Sequence, residues 1–323
     1  MAYLEAGVKE ELYVELPEDY HDSCDQVGRL QKAMYGLVHT GLLWSKTFSA
    51  ELATRGFEKC QADPCVFRRV LRGKGVVIIV VCIDDLLVAS ETKSEREARF
   101  YIGCHITRDR DTGTLKLAQH RYVRTVASKF NVEKTSTTPA AAGVKPLSKD
   151  DAPQTEAETE EMRVTPYREA VGALMWAATM TRPDVAYAAH RLGNFSDNPG
   201  PVHWGAAKRA LQYLWRTNDV GITYAGAPGS YIKLLVWVDA DFATCPDTRR
   251  SVSRGAVMLG GARSIGSRGR RSYKDGDQRF SGRRTRHVDV THHIVRDAVE
   301  SGVVRIHYVE SGKQHADVLT KAL

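Results

Sequence analysis

Apolar residues change their spacing several times along this chain, and each change predicts an element. From Leu30 to Arg55 the apolar positions Leu30, Met34, Leu37, Trp44, Phe48 and Leu52 recur three, four or seven residues apart. That predicts a helix, interrupted near Gly36 and Gly41. Residues 66–90 read as a hairpin: VFRRV is one strand, LRGKG a glycine-containing turn and VVIIVVCI the second strand. The second run is continuously apolar and β-branched, which predicts burial on both faces. ETKSEREAR, residues 91–99, is charged and has no core face. A strand from Tyr101 to Thr107, a turn at Asp109–Gly113, a short strand at Leu115–Leu117 and a helix from His120 to Phe130 follow.

Residues 135–161 hold Ser, Thr, Pro, Ala and Glu with almost no large apolar side chain, and read as a linker. Beyond them the period is helical. Tyr167–Met180 places Val171, Leu174, Met175 and Ala178 on one face, Pro183 opens a second helix to Phe195, and Pro201 opens a third through Trp204, Ala207, Leu211 and Leu214. The period falls to two from Tyr231 to Val238 and again from Val252 to Leu259, as in strands. A helix at 291–300, a strand at 303–309 and a helix at 316–323 are expected to close the chain. These shifts divide it into residues 1–134, 135–161, 162–228 and 229–323.

Composition narrows the class. With 42% hydrophobic and 26% charged residues, the 323-residue chain reads as globular, neither fibrous nor disordered. Its longest apolar run, Val76 to Ile83, is far short of the roughly 20 residues of a membrane-spanning helix. The opening MAYLEAGVKEE has charges where a signal peptide has an apolar core. Six scattered cysteines without zinc-site spacing fit reduced thiols, and so a cytoplasmic or nuclear protein. The net charge of +7 is a local feature. Nine Lys and Arg against two Asp between residues 263 and 286 account for all of it, and the remaining residues sum to zero.

The sharpest chemistry lies at Cys82-Ile83-Asp84-Asp85, where two adjacent carboxylates end an apolar strand and begin a turn. Burying a carboxylate is costly unless it is paired or binds metal. A plain strand-end turn would explain an arbitrary Asp-Asp pair. A nucleotidyl-transfer palm, however, carries its metal-binding Asp pair at the tip of such a hairpin. Asp289, His292 and His293 lack a third ligand at chelating spacing and read as packing residues. Trp176 and Trp204 lie in apolar helical faces and read as core.

The segments AYLEAGVKEELYVELPEDY, LQKAMYGLVHTGLLW, ADPCVF and CIDDLLVAS, in that order, resemble the reverse transcriptase of copia-type LTR retrotransposon Pol polyproteins. YREAVGALMWAATMTRPDVAYAAHRLGNFSDNPGPVHWGAAKRALQYLWRT resembles the same family's thumb and connection region. VDADFATCPDTRRSVSRGAVMLGG and HVDVTHHIVRDAVESGVVRIHYVESGKQHADVLTKAL resemble the two ends of its ribonuclease H. The resemblance implies an α+β chain: an incomplete reverse-transcriptase palm of antiparallel sheet and helices (1–134), a linker, a helical thumb/connection region (162–228) and a degraded ribonuclease H-like α/β domain (229–323). It further implies RNA-directed DNA synthesis and cleavage of RNA in an RNA–DNA hybrid, with RNA, DNA and the hybrid as partners. Both reactions would use Mg²⁺ ions held about 3.5–4 Å apart by carboxylates. Asp84 and Asp85 match the polymerase pair. Asp239 and Asp317 match the first and last ribonuclease carboxylates, and Asp241 neighbours the first.

The departures from the family pattern matter as much. The third polymerase carboxylate would stand before Ala2, ahead of the Met1 start. Family Lys-Gln-Ala-Pro reads Val38-His39-Thr40-Gly41, and the helix expected between Ser90 and Tyr101 is short. Between Gly261 and Asp297 there is no Glu, although the family's ribonuclease helix carries its catalytic Glu there, and Asp275 and Asp277 sit among Gly and Arg. The expectation is therefore a truncated, internally deleted copy with both activities lost. The alternatives are a non-catalytic nucleic-acid-binding protein and a product without a stable fold.

Overall fold

A computed structural model describes residues 2–8, 10–16, 27–73, 75–90, 98–141, 143, 146–225, 234–241, 246–247, 251–259, 262–264, 268–271, 301–302, 305, 307 and 309–310. For 239–241, 251–254, 262–264 and 268–271 it describes the backbone alone. The expected closing helices, Asp275, Asp277, Asp289, His292, His293 and Asp317 lie outside the described residues. Helices and antiparallel sheets make up an α+β architecture, as expected. Contacts divide it into two compact units, 1–106 and 107–323.

The first unit opens with a short ribbon, β1 (Tyr13–Glu15) paired to β2 (Val27–Arg29). Helix α1 spans Thr40–Thr54. It begins later than the spacing predicts because Gly36, at φ 100°, turns the chain out of helix first. A four-stranded sheet follows: β3 (Glu58–Lys59), β4 (Val66–Leu71), β5 (Gly75–Cys82) and β6 (Asp85–Ser90), in that spatial order. The register pairs Phe67 with Ile79 and Ile79 with Val88, so these three share a face. Phe48 of α1 meets Phe67 edge-on at 6.2 Å and covers that face at Phe67, while Val88 at its other side stays 58% exposed. Val76, Ile78 and Val80 point the other way. No residue of β5 is fully buried, against the expectation of burial on both faces. Hydrophobicity makes a strand able to sit between two layers; it does not supply the second layer. Strands β7 (Phe100–Tyr101) and β8 (Cys104–Asp109) pair through Tyr101 and Cys104, and β8 crosses the boundary between the units.

The second unit holds the largest core. Its helices are α2 (His120–Lys129), α3 (Glu156–Val164), α4 (Tyr167–Met180), α5 (Ala186–Gly193) and α6 (Pro201–Arg216). Buried Tyr167, Ala170, Val171, Leu174, Ala177 and Ala178 form one stripe of α4 and pack with Leu192, Leu211 and Leu214. Trp204 packs against this core, whereas Trp176 is 40% exposed, contrary to the core reading. Strand β9 (Thr114–Ala118) pairs with β10 (Gly221–Ala225), a strand that the apolar spacing does not predict. A second sheet carries β11 (Leu234–Asp241) and β13 (Ala262–Ser264) on either side of β12 (Ser251–Leu259), with β14 (Arg268–Arg271) also paired to β12.

Part of the polar stretch 135–161 is helical. Thr155 and Glu158 form a reciprocal capping box at the start of α3, and Met162 near its end is buried. Arg182, 1% exposed, bridges the helices. It meets Asp184 at 2.7 Å and donates to the carbonyl and hydroxyl of Thr217 at 2.8 and 2.6 Å, while Tyr213 donates to Asp184 at 2.8 Å. Removing one partner of such a buried pair typically costs about 3–5 kcal/mol.

His203 ties α6 to residues 148–151. Its Nδ1 accepts from the Gly200 N–H at 2.9 Å, so Nε2 carries the proton and donates to the Ser148 carbonyl at 3.0 Å. The ring stacks on Phe195 at 4.1 Å. Gly200 is required because a Cβ there would lie 2.0 Å from the Asp151 carbonyl oxygen. Burial lowers the His203 pKa below its ordinary 6.5, opposed by the Ser148 carbonyl and the Asp151 and Asp247 carboxylates. A depressed histidine contributes stability above its unfolded pKa and loses it as pH falls from about 6.5 toward the folded value. Thermal unfolding followed from pH 7.5 to pH 5 should show the second unit losing stability over that range. His203→Gln should flatten that slope, and an unchanged slope would contradict the assignment.

Candidate functional site

The tip of the β5–β6 hairpin is set by its register. Cys82 pairs with Asp85, which leaves only Ile83 and Asp84 to reverse the chain. Two-residue hairpin loops favour positive φ at their first position, and Ile83 adopts φ 52°. For a β-branched residue this conformation costs on the order of 1–3 kcal/mol, and such strain clusters at functional sites.

Asp84 is exposed, with both oxygens engaged. Oδ1 accepts from the Ala2 N–H, and Oδ2 accepts from the Tyr35 hydroxyl at 2.9 Å. The Tyr35 ring rests on Tyr3 at 4.6 Å. These donors, the Ala2 amide first, hold the Asp84 carboxyl below its ordinary range. The same hydrogen bond raises the Tyr35 phenol. Asp85 accepts from the Ile102 N–H at 3.2 Å, at the tight β7–β8 turn where Ile102 and Gly103 both have positive φ. Beside it, the Tyr101 hydroxyl is buried without a partner among the described residues. Its pKa is raised by burial first and then by Cys82, Asp85 and Cys65.

Asp84 and Asp85 thus stand together at the tip. The backbone of Asp239 lies on β11 opposite Arg254, with Asp241 two residues on, while Asp317 is outside the described residues. Among the described residues, no three His, Cys, Asp or Glu are grouped to hold a metal ion. The described groups therefore do not fit a resident two-metal centre: the carboxylate pair is present and no third ligand joins it. Val38 is 93% exposed and His39 stands at the start of α1 without a side-chain capping bond. Tyr35, Tyr3, Ala2 and Ile102 escape sequence reasoning as site residues. Tyr35 lies inside the recognisable LQKAMYGL segment, but its partner is 49 residues away.

Residues 1–99 match the family model for reverse transcriptase (RNA-dependent DNA polymerase). Over its whole length the chain is 27% identical to the retrovirus-related Pol polyprotein from transposon TNT 1-94 of Nicotiana tabacum, covering 29% of that protein. It is 26% identical to the Pol polyprotein from transposon RE2 of Arabidopsis thaliana, again over the whole chain and 26% of the relative. The chain belongs to the retrotransposon Pol polyproteins. The transposon Ty1-ER2 Gag-Pol polyprotein of Saccharomyces cerevisiae is 24% identical over 83% of the chain and 16% of its own length. As a Pol polyprotein sequence, the chain spans less than a third of each of these relatives. Its hairpin tip lies within the segment matched by the polymerase family model. No solved structure matches significantly. No described helix is long and apolar enough to cross a membrane.

Carboxyl-detected NMR titration tests the Asp84 network. Asp84 should titrate below 3.8, and Tyr35→Phe should move it upward without unfolding the chain. A titration unchanged by Tyr35→Phe would show that the phenol is not its partner.

Proposed function

We propose that this chain derives from a copia-type RNA-directed DNA polymerase and ribonuclease H, and that the 323-residue form is catalytically silent. In this reading residues 1–134 are a partial palm and thumb start, 135–161 a linker, 162–228 a helical thumb/connection region and 229–323 a degraded ribonuclease H-like domain. The observation that carries it is the hairpin tip. Asp84 and Asp85 end an apolar strand within the family-matched segment, and the Ala2 amide bonds to Asp84. The resemblance puts the family's remaining polymerase carboxylate a few residues before Ala2, and a backbone bond from Ala2 to Asp84 fits that neighbourhood.

The silence follows from what surrounds the retained acids. Two carboxylates hold Mg²⁺ weakly unless substrate phosphates complete the coordination. The second pair, Asp239 and Asp317, has no Glu between Gly261 and Asp297 to join it. The alignment with the tobacco relative runs over 391 positions, 68 more than the chain has residues, which supports internal deletion. RNA, DNA and the RNA–DNA hybrid are the partners of this reading, in the cytoplasm or nucleus, with Mg²⁺ as the ion of the ancestral chemistry.

A second reading, a non-catalytic nucleic-acid-binding protein, draws on the +7 concentrated in residues 263–286, which a junction left by deletion also explains. The two part in one experiment. Primer extension on an RNA template and cleavage of an RNA–DNA hybrid, each with Mg²⁺, should give no turnover. Turnover that disappears on Asp84→Ala or Asp239→Ala would overturn the silence. Hybrid binding that weakens steeply with salt, without cleavage, would favour the second reading.

A further inference from the structure

The second unit contains a cavity of about 730 Å³ between α5, α6 and the segment that precedes α3. That is within the usual size for small-molecule sites, roughly 300–1,000 Å³. Among the described residues two arginines line it, and each is fixed by a hydrogen bond to the segment that forms the facing wall. Arg191 donates to the Leu147 carbonyl at 2.8 Å and Arg209 to the Thr138 hydroxyl at 2.9 Å. Arg209 Nε is buried with no partner among the described residues, so the terminal nitrogens are the part of this guanidinium that can face the cavity. The first turns of α6, at Val202 and Gly205, add the positive end of a 16-residue helix. Among the described lining residues Asp151 is the one carboxylate, and its Oδ2 accepts from the Ser148 N–H at 2.8 Å and the Ser148 hydroxyl at 3.3 Å.

We propose that this cavity binds a nucleoside monophosphate group. Anchored guanidinium forks suit a phosphate, which accepts paired hydrogen bonds. Pro139, Ala140 and Leu147 offer an apolar wall for a base, and the Gln212 amide both donates and accepts, as a base edge requires. The space exceeds what a bare anion fills. A Cβ on Gly205 would meet nothing within 4 Å, so the cavity is open at that point of α6. The ligand is either a free nucleotide or the phosphorylated end of a strand. The inference does not rest on the polymerase reading.

Isothermal titration of the full chain with AMP, adenosine, inorganic phosphate and a 5′-phosphorylated oligonucleotide tests it. AMP should bind saturably at one site, with adenosine and phosphate each at least tenfold weaker. Oligonucleotide binding as tight as AMP would identify a strand end as the source, and AMP binding alone a free nucleotide; either supports the site. Arg209→Met should weaken AMP at least tenfold. Gly205→Leu should fill the cavity and abolish binding with the melting temperature preserved, and it decides the matter if Arg209→Met does not fold. Absence of saturable AMP binding, phosphate binding as tight as AMP, or both variants binding like the parent chain would overturn the proposal.

Discussion

The first unit depends on a reversal made in two residues. Cys82 and Asp85 are hydrogen-bonded neighbours across the tip, so Ile83 must adopt φ 52° and Asp84 must project from the end of the sheet. Nothing in isoleucine favours that conformation. It persists because β5 is paired to β4 over Gly75–Val80 and to β6 over Val77–Cys82, up to the turn itself, and the ladder over-determines the turn. The consequence is chemical. Adjacent carboxylates that would face opposite ways within a strand emerge together at a corner, where Ala2, Tyr35 and Ile102 can reach them.

The second unit is organised around buried polar groups. Arg182 holds Asp184 and Thr217 while α4 and α6 bury their apolar stripes around it. His203, whose Nδ1 accepts a backbone N–H and whose pKa burial lowers, fastens the segment around Ser148 to the start of α6. That same segment forms one wall of the arginine-lined cavity, so the clasp that stabilises the helices also shapes the space between them. This core is dense and made of local helical contacts. In the first unit α1 covers the sheet only around Phe67, and Val70, Leu86 and Val88 remain more than half exposed.

Much of this was legible in the chain. Helices α4 and α6 announce themselves by apolar spacing, and α6 also by Pro201 at its first position. Strands β4 and β5 follow from composition and an intervening glycine turn. Helix α3 did not stand out, because a polar run with one buried methionine looks like a linker unless the Thr155–Glu158 cap is read. The apolar run of β5 predicts more burial than the sheet gives it, because a sequence records how apolar a strand is and not what lies above it. At the site, Asp84 and Asp85 were visible as neighbours. Their partners were not: Tyr35 and Ala2 lie 49 and 82 residues from Asp84, and only the folded unit brings them there.

The proposed silence requires that the hairpin keep its carboxylate pair without a complete two-metal centre. Manganese-induced broadening of the backbone NMR signals of residues 83–86, recorded on the full chain, tests it most directly. One weakly held ion, saturating only at concentrations on the order of millimolar, is the result expected for two carboxylates without further ligands. Saturation by two ions at low micromolar concentration, lost together in Asp84→Asn, would contradict it.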